Sequence, residues 1–496
     1  MGAAVCHSTR SSCLASLALA VVAVGVLPGA AHAIRCTKPD DLCVGDPCVV
    51  RQVEVSSPCE LDFGDRTLVI GGTLSVPNGG VLILRARDIE VRRAIIGRHA
   101  TPFSGRGGSI SLVATDDIIV RWRIDASARI APGRIALTAG GDVTLAAPLR
   151  AAANGPQPTA PGGGIFITAG GRIVASGRAR LRAEGAATTS GGSIALVAGS
   201  GMRLDNRIGA DGRDGGSVSL SATAGDIVVQ RQLSATGEIG TGGSVVAFAQ
   251  QGFVTLFDDI DAQGVTGGGT VFAIGGTALT AHGFLRARAN PIDGAGGYVV
   301  AAGGRSITLN DTIYADGARG GSIQVLSMLG DVRTIAPLLA DGANDAGGSV
   351  VVNAAGALTV DSTIDADGVT NGGSIEAIGR TVTIANRGDL FARGQMGGAV
   401  TIRGTAVSVQ AGSRILVDGD QPSGRIQLDA TAGDLTLDGR FRARGQGGRI
   451  LGTATRGVHA SGEFEAAGDG CIGLTAGTTL DIAGAIFDVP VTMVCP

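Results

Sequence analysis

The chain has 496 residues, of which 83 are glycine, 3% are aromatic and 17% are charged, and its formal net charge is -3. Glycine is about twice as frequent as in an ordinary globular protein, and charged residues are clearly rarer. No basic surface is expected from this charge balance, which excludes nucleic acid and anionic membrane surfaces as partners.

The first 33 residues have the pattern of a secretory signal peptide. Arg10 supplies a positive start, Leu14 to Leu27 forms an apolar segment, and Ala31-His32-Ala33 is a small-residue cleavage site. Cleavage would make Ile34 the first mature residue. No later segment is long and apolar enough to predict a membrane-spanning helix. We therefore expect an exported protein, extracellular or on the cell surface, with the periplasm as the alternative and peripheral membrane contact at most.

The cysteines of the mature chain predict disulfides, because an even number in an exported chain is typical of a disulfide framework. Four lie close to the mature N-terminus, where three pairings are open, and the last two are expected to pair across the final coil. Their spacing does not fit a zinc site, and we predict no metal and no other cofactor. The six disulfide candidates are Cys36, Cys43, Cys48, Cys59, Cys471 and Cys495.

The region that follows repeats one short pattern. Segments such as GGSISLVA at Gly107, GGSIALVA at Gly191 and GGSIEAIG at Gly372 recur with a spacing of 22 to 30 residues, and sixteen starts can be aligned. Each repeat contains three short segments in which apolar and polar residues alternate, which is typical of strands. A period of about 25 residues with three strands favours a parallel β-helix over a propeller or a leucine-rich repeat.

The third segment of each repeat follows an h-x-A-x-G pattern, where h is an apolar residue. Thirteen of its fifteen third positions are alanine, which predicts an inward position with little room at a corner of the coil. We expect the following glycine to supply a positive φ. We expect the position directly after the alanine to face solvent and to be only weakly constrained in its side chain. The structural corner residues named on this basis are Ala210, Ala262, Ala315, Ala340, Ala366 and Gly368.

Acidic residues raise two alternatives to a purely structural interpretation. The segment around Gly368 lacks the ligand pattern of a calcium loop, so we predict no metal site there. Asp258, Asp259 and Asp261 in FDDID are the alternative catalytic carboxylates, since paired acids can serve general acid–base chemistry on a glycan. The few aromatic residues and short inserts favour a coil corner instead, with Asp259 and Asp261 pointing outward, and we predict no catalytic residue.

The repeat unit GGSIxLxA…GDIxVxxxIxAxG resembles the repeats of filamentous-haemagglutinin-type bacterial exoproteins, and the likeness covers about Gly79 to Val489. This resemblance implies a right-handed parallel β-helix. The predicted fold is therefore all-β, a single right-handed β-solenoid of about 16 coils with three short strands per coil and disulfide-stapled ends. The predicted divisions are 1–33 signal peptide, 34–66 cysteine-rich N-terminal cap, 67–470 repeats, and 471–496 last coil and C-terminal cap.

The function expected from these features is that of a non-enzymatic, secreted or cell-surface protein, structural or adhesin-like. A glycan-active lyase or hydrolase on the same scaffold and a passive surface spacer are the two alternatives. We expect a monomer whose outward rows would contact a surface glycan or the matrix of a host or neighbouring cell. Those rows include Arg286, Arg288, Asp365 and Asp367.

Overall fold

The computed structural model describes residues 33–34, 38–77, 79–97, 105–153, 160–420, 424–467, 469–488 and 491–492. Within these residues the chain is a parallel β-solenoid of about 17 turns, which confirms the predicted β-solenoid. At ~4.8 Å per turn the rod is roughly 80 Å long. The described part contains a single helical element, the short 3-10 helix Pro39–Asp41, and no helix in it is long and apolar enough to cross a membrane.

Each turn contributes strands to three faces, which we call the first-strand, second-strand and third-strand faces. The first-strand face consists of Cys59–Asp62, Val81–Ala86, Ser109–Ala114, Arg134–Ala139, Gly164–Ala169, Ser193–Ala198, Ser217–Ala222, Ser244–Ala249, Thr270–Gly275, Tyr298–Gly303, Ser322–Ser327, Ala399–Gly404, Arg425–Ala430, Arg449–Ala454, Cys471–Ala476 and Val491–Thr492. In two turns the first and second strands form one continuous strand, Ser349–Val360 and Ser374–Ile384.

The two remaining faces are built from shorter strands. The second-strand face consists of Cys48–Val50, Thr67–Ile70, Asp88–Val91, Ile118–Val120, Val143–Leu145, Arg172–Ala175, Gly201–Leu204, Ile227–Val229, Phe253–Leu256, Ala278–Ala281, Ser306–Leu309, Asp331–Thr334, Ala406–Val409, Leu435–Leu437, Gly457–Ala460 and Thr479–Asp481. The third-strand face consists of Ala33–Ile34, Val53–Val55, Leu74–Ser75, Ile95–Ile96, Ile124–Asp125, Leu149–Arg150, Leu181–Arg182, Ile208–Gly209, Leu233–Ser234, Ile260–Asp261, Leu285–Arg286, Ile313–Tyr314, Leu338–Leu339, Ile364–Asp365, Asp389–Phe391, Arg414–Leu416, Arg440–Arg442, Glu463–Glu465 and Ile486–Phe487.

The core consists of apolar side chains stacked in register from turn to turn. Ile110 pairs with Ile135, and Ile135 pairs with Ile165 in the next turn. All three are fully buried, because alternate residues of a strand point to the same side. Stacking of equivalent residues therefore places each inward position of the repeat against its own copies, and each outward position in a column on the surface.

The corner between the third strand and the next turn explains both the recurrent alanine and the glycine doublet of the repeat. The amide of Gly348, the second doublet glycine, donates to the carbonyl of Ala340 at 2.7 Å and so closes the intervening loop. Ala340 is fully buried. A Cβ on Gly348 would lie 2.1 Å from the carbonyl oxygen of Gly321 in the preceding turn. The four other alanines named from the sequence are also fully buried: Ala210, Ala262, Ala315 and Ala366.

The expected positive φ at the corner glycine is wrong for Gly368. Its φ lies outside the left-handed region, and a Cβ there would lie 2.1 Å from the carbonyl oxygen of Asn371 and 2.2 Å from the amide nitrogen of Gly347. Close approach of the backbone of the preceding turn therefore requires glycine at this corner, and the turn itself does not need an unusual dihedral angle.

Stacked strands begin inside the segment predicted as the N-terminal cap. Cys48–Val50 pairs with Thr67–Ile70, and Cys59–Asp62 pairs with Val81–Ala86. Cys43 and Cys48 form a disulfide, which selects one of the arrangements left open by the sequence. Cys59 and Cys471 each take part in a separate further disulfide. The candidates Cys36 and Cys495, like residues 1–32 of the predicted signal peptide, lie outside the described residues.

Candidate functional site

The third-strand face carries stacked rings and guanidinium groups over several turns of the rod. Its outward positions lie immediately before and after the buried corner alanine, and equivalent positions of successive turns are about 25 residues apart in the chain. Ile260–Asp261 pairs with Leu285–Arg286, which in turn pairs with Ile313–Tyr314. Side chains that are distant in sequence therefore become neighbours separated by ~4.8 Å along the rod.

Planar side chains form what we call the arginine–aromatic band. The guanidinium carbon of Arg286 lies 4.2 Å from the ring centre of Phe284, and that of Arg288 lies 4.7 Å from the ring centre of Tyr314. The two rings are 5.8 Å apart. Such guanidinium–ring stacks are attractive and hold both groups flat against the surface. The band comprises Phe257, His282, Phe284, Arg286, Arg288, Tyr314, Phe391, Arg393 and Arg414.

Planar side chains are stacked at both ends of the band. At one end the rings of Phe257 and His282 stack 5.2 Å apart and nearly parallel. At the other end Phe391 lies between two guanidinium groups, with the carbon of Arg393 at 4.6 Å and that of Arg414 at 5.2 Å from its ring centre. Phe257 is exposed to 46% of its full area, so the band offers solvent an aromatic surface as well as charge.

Between the two ends lies the acidic cluster, defined as Asp316, Asp341, Asp365 and Asp367. The side chains of Asp341 and Asp365 are hydrogen-bonded to each other. The amide of Asp367 donates to one carboxylate oxygen of each, at 3.1 Å and 3.2 Å. Arg288 is 3.2 Å from Oδ2 of Asp316, and Oδ1 of Asp316 is buried without a hydrogen-bond partner among the described residues.

Three carboxyl groups of the cluster, those of Asp316, Asp341 and Asp365, bind protons unusually tightly. Burial, opposed by the charge of Arg288, raises the pKa of Asp316 to about 6. Burial also raises the pKa of Asp341 to about 6, although the hydrogen bond from Asp365 works against it. Burial and the charges of Asp341 and Asp367 raise the pKa of Asp365 to about 8. Because both pKa values are raised, the pair retains a shared proton to a higher pH than ordinary aspartates do.

The aspartates that follow the corner alanine accept hydrogen bonds from the backbone of the next turn. This role contradicts the weakly constrained side chain that the sequence predicts at this position. Asp367 accepts a hydrogen bond at 2.6 Å from the amide of Arg393, the equivalent residue of the next turn. Asp211 accepts from the amide of Thr236 at 2.8 Å in the same way. These amides lie beyond the strand ends, where the ladder of strand hydrogen bonds does not reach, so a carboxylate from the preceding turn satisfies them.

The three aspartates proposed from the sequence as alternative catalytic residues form ion pairs and hydrogen bonds with neighbouring residues. Arg286 lies 2.6 Å from Asp259 and 3.1 Å from Asp261. Asp259 also accepts from the amide of Phe284 at 3.1 Å, and Asp261 is only 4% exposed, although it points outward from the coil as expected. Asp258 accepts from the amide of Asp259 at 2.9 Å. This arrangement does not leave two free carboxylates facing a common space.

Sequence reasoning missed the ring pair of Phe257 and His282 and the packing of Phe391 between arginines. The signal was available in the repeat alignment, because Phe257 and His282 occupy equivalent positions of adjacent turns, each directly after a second strand. The outward residues Asp365 and Asp367 were singled out, and the structure brings them together with Asp341. In the described part of the chain no group of three or more His, Cys, Asp or Glu side chains is arranged to hold a metal ion.

No protein-family model, no curated protein and no solved structure matches the chain. The fold and the geometry of the third-strand face are therefore the features from which a function can be inferred.

Proposed function

We propose that the chain is a non-enzymatic, exported β-solenoid of the filamentous-haemagglutinin-like kind that binds a surface glycan through its third-strand face, as an adhesin would. The arginine–aromatic band is the observation that carries this proposal. Aromatic and arginine side chains are enriched among residues that dominate binding energies, and here they are already ordered by stacking on one another before any partner arrives.

The chemistry of the band suits a sugar chain. The apolar face of a sugar ring can pack on the exposed parts of Phe284 and Tyr314, whose rings are 5.8 Å apart. Sugar hydroxyls can donate to the carboxylates of the acidic cluster and accept from Arg286 or Arg288. A rod that repeats every ~4.8 Å offers such contacts along an extended chain, which favours a polymer over a small ligand.

Binding to a glycan array by the mature chain, residues 34–496, tests the proposal. Tyr314→Ala should weaken binding at least about tenfold, because it removes a ring and releases Arg288 from its stack. Phe253→Ala is the matched control, since Phe253 is 48% exposed but lies on the second-strand face. An array without any bound glycan would favour the passive spacer, and equal losses in both variants would remove the band as the binding site.

One observation favours a glycan-active enzyme as the second candidate. The hydrogen-bonded carboxyl groups of Asp341 and Asp365 have pKa values of about 6 and about 8. Different pKa values in a carboxyl pair are typical of active sites in which one group acts as an acid and the other as a base. Glycosidases, however, hold their two carboxyl groups ~5–9.5 Å apart to leave room for the substrate, and direct contact between Asp341 and Asp365 leaves none. Cleavage of a polysaccharide that disappears in Asp365→Asn and survives in Asp259→Asn would overturn the non-enzymatic proposal.

A further inference from the structure

Four consecutive turns of the third-strand face are rich in arginine. Their third strands pair in succession: Ile95–Ile96, Ile124–Asp125, Leu149–Arg150 and Leu181–Arg182. Eight arginines and only two acids lie in the segments that carry these strands, residues 92–97, 121–128, 146–153 and 178–185. A net charge of -3 predicts no basic surface, but the charges are unevenly distributed, and these turns carry a local excess of positive charge.

Most of these arginines have no carboxylate partner. Arg182 lies 2.7 Å from Glu184, and Arg92 and Arg121 share Glu90 on the second-strand face. The other five form no ion pair with any residue that the structure describes: Arg93, Arg123, Arg150, Arg178 and Arg180. Five uncompensated guanidinium groups within four turns repel one another, and a bound polyanion would relieve this repulsion.

The unpaired arginines are accessible to a partner. Four of them are exposed to solvent: Arg93, Arg150, Arg178 and Arg180. Arg123 is half-buried, and its Nε is buried without a hydrogen-bond partner among the described residues. Asp125, the register partner of Arg150, is only 3% exposed and accepts a hydrogen bond from the amide of Ser127 at 3.1 Å. It therefore presents no exposed carboxylate that would compete with an anionic partner.

An aromatic ring lies beside these charges. Trp122 is the only tryptophan of the chain and is 49% exposed. Its ring centre lies 5.8 Å from the guanidinium carbon of Arg93, which belongs to the preceding turn. Exposed tryptophan and arginine side chains are among the residue types that most often dominate binding energies. We call the following six residues the basic patch: Arg93, Trp122, Arg123, Arg150, Arg178 and Arg180.

The basic patch has a regular spacing along the rod. Arg123 and Arg180 each directly precede their third strand and lie two turns apart, which separates their positions by ~9.6 Å. Arg150 lies in the turn between them and two residues further along the chain, ~6.6 Å across the face. Arginine positions therefore alternate from side to side along the rod, and they can contact successive anionic groups of one extended polymer.

We propose that the basic patch binds an acidic polysaccharide, a sugar polymer that carries carboxylate or sulfate groups along its length. Guanidinium groups bind such oxyanions through two parallel hydrogen bonds, and the apolar face of a sugar ring can pack on the indole of Trp122. A nucleic-acid site is favoured by a basic charge over a whole domain. This chain has a net charge of -3, which disfavours a densely charged strand beyond the patch.

The basic patch is separate from the arginine–aromatic band. The two share no residue, and three steps of ~4.8 Å lead from Leu181–Arg182, in the last turn of the patch, to Ile260–Asp261, near the start of the band. The band consists of arginines stacked on rings and paired with aspartates, whereas the patch consists of arginines without ionic partners among the described residues. A polyanion site here stands independently of the proposed function of the band.

Fluorescence polarisation of labelled polysaccharides titrated with the mature chain, residues 34–496, tests the proposal. The probes are polygalacturonate, which carries carboxylates, dextran sulfate, and neutral dextran as the uncharged control. We expect a micromolar Kd for at least one of the two polyanions and no binding of dextran. Raising NaCl from about 50 mM to about 200 mM should weaken polyanion binding at least ~10-fold. The polyanion that binds more tightly identifies carboxylate or sulfate as the group recognised.

Two arginines of the same turn give a matched pair of variants. Arg180→Glu should weaken polyanion binding at least ~10-fold, because it replaces a contact by a repulsion in the middle of the patch. Arg172→Glu makes the same change at an exposed arginine on the second-strand face and should alter the Kd less than ~3-fold at physiological salt. Trp122→Ala should weaken binding of the polysaccharides ~5-fold or more. Matching circular dichroism and thermal unfolding would confirm that each variant is folded.

Several results would overturn the proposal. They are the absence of binding to both polyanions, equal binding of neutral dextran, and equal losses in Arg180→Glu and Arg172→Glu. Tighter binding of a single-stranded oligonucleotide of equal charge would assign the patch to nucleic acid instead. Tyr314→Ala should leave polyanion binding within ~2-fold of that of the unmodified chain, so the assay distinguishes a failure of the basic patch from a failure of the arginine–aromatic band.

Discussion

Replacing Asp365 by asparagine should make the rod more stable at alkaline pH and flatten its dependence on pH. Asp365 is hydrogen-bonded to Asp341, and its pKa is raised to about 8 by burial and by the charges of Asp341 and Asp367. An asparagine can still donate a hydrogen bond to Asp341 through its amide nitrogen, but it never acquires a charge. The substitution therefore keeps the contact and removes only the cost of ionising a half-buried group.

The size of the effect follows from proton linkage. The folded state retains a proton on Asp365 up to about pH 8, whereas the unfolded chain releases it near the ordinary pKa of 3.8, so the stabilisation by this proton is complete below about pH 4 and is lost as the pH rises through 8. About four pKa units at ~1.36 kcal/mol each set a ceiling of roughly 6 kcal/mol. Because water reaches this surface and screens the charges, we expect ~2–3 kcal/mol in favour of Asp365→Asn at pH 9.

Thermal unfolding at pH 5, 7 and 9, together with hydrogen exchange of peptides covering residues 338–393, measures the effect globally and locally. Asp345→Asn is the control in the neighbouring loop, because hydrogen bonds from Thr370 and Arg319 lower the pKa of Asp345 and its replacement should not stabilise the rod at pH 9. Parallel losses of stability between pH 5 and pH 9 in the unmodified chain and in Asp365→Asn would refute a shared proton at Asp365.

Three further predictions concern the scaffold. Gly348→Ala should lower the free energy of unfolding by about 3 kcal/mol or more in denaturant titrations, because the added methyl group would lie 2.1 Å from a backbone carbonyl of the preceding turn; an effect below 1 kcal/mol would show that the turns can separate at this corner. Asp331→Ala should cost ~1–2 kcal/mol by leaving an amide of the next turn without its acceptor at 2.7 Å. Asp361→Ala, which removes only an exposed ion pair with an arginine, should cost less than ~0.5 kcal/mol. Equal losses of stability in Asp331→Ala and Asp361→Ala would contradict the role of Asp331 as an acceptor for the next turn. Replacing Cys43 and Cys48 together by serine should destabilise the first turns by ~2 kcal/mol, since the disulfide closes a loop of only five residues, and unchanged proteolysis of these turns would refute this.

The fold was open to prediction from the sequence because every turn repeats the same local chemistry. Ile110, Ile135 and Ile165 occupy one position of the repeat, and parallel stacking in register makes them neighbours. The observed solenoid has about 17 turns rather than about 16, since Cys48–Val50 and Cys59–Asp62 already stack on the repeats. Cysteine-rich sequence without the glycine doublet concealed this additional turn.

The sequence by itself determined the period, the inward alanines such as Ala340 and the outward positions such as Asp365, because these follow from alternation along a strand and from its repetition. Only the tertiary structure decided which outward side chains interact. Asp341 and Asp365 belong to different turns and to different columns, and their shared proton depends on how neighbouring turns bury both groups. The same holds for Phe257 and His282, which are 25 positions apart in the chain and whose rings stack only because successive turns do.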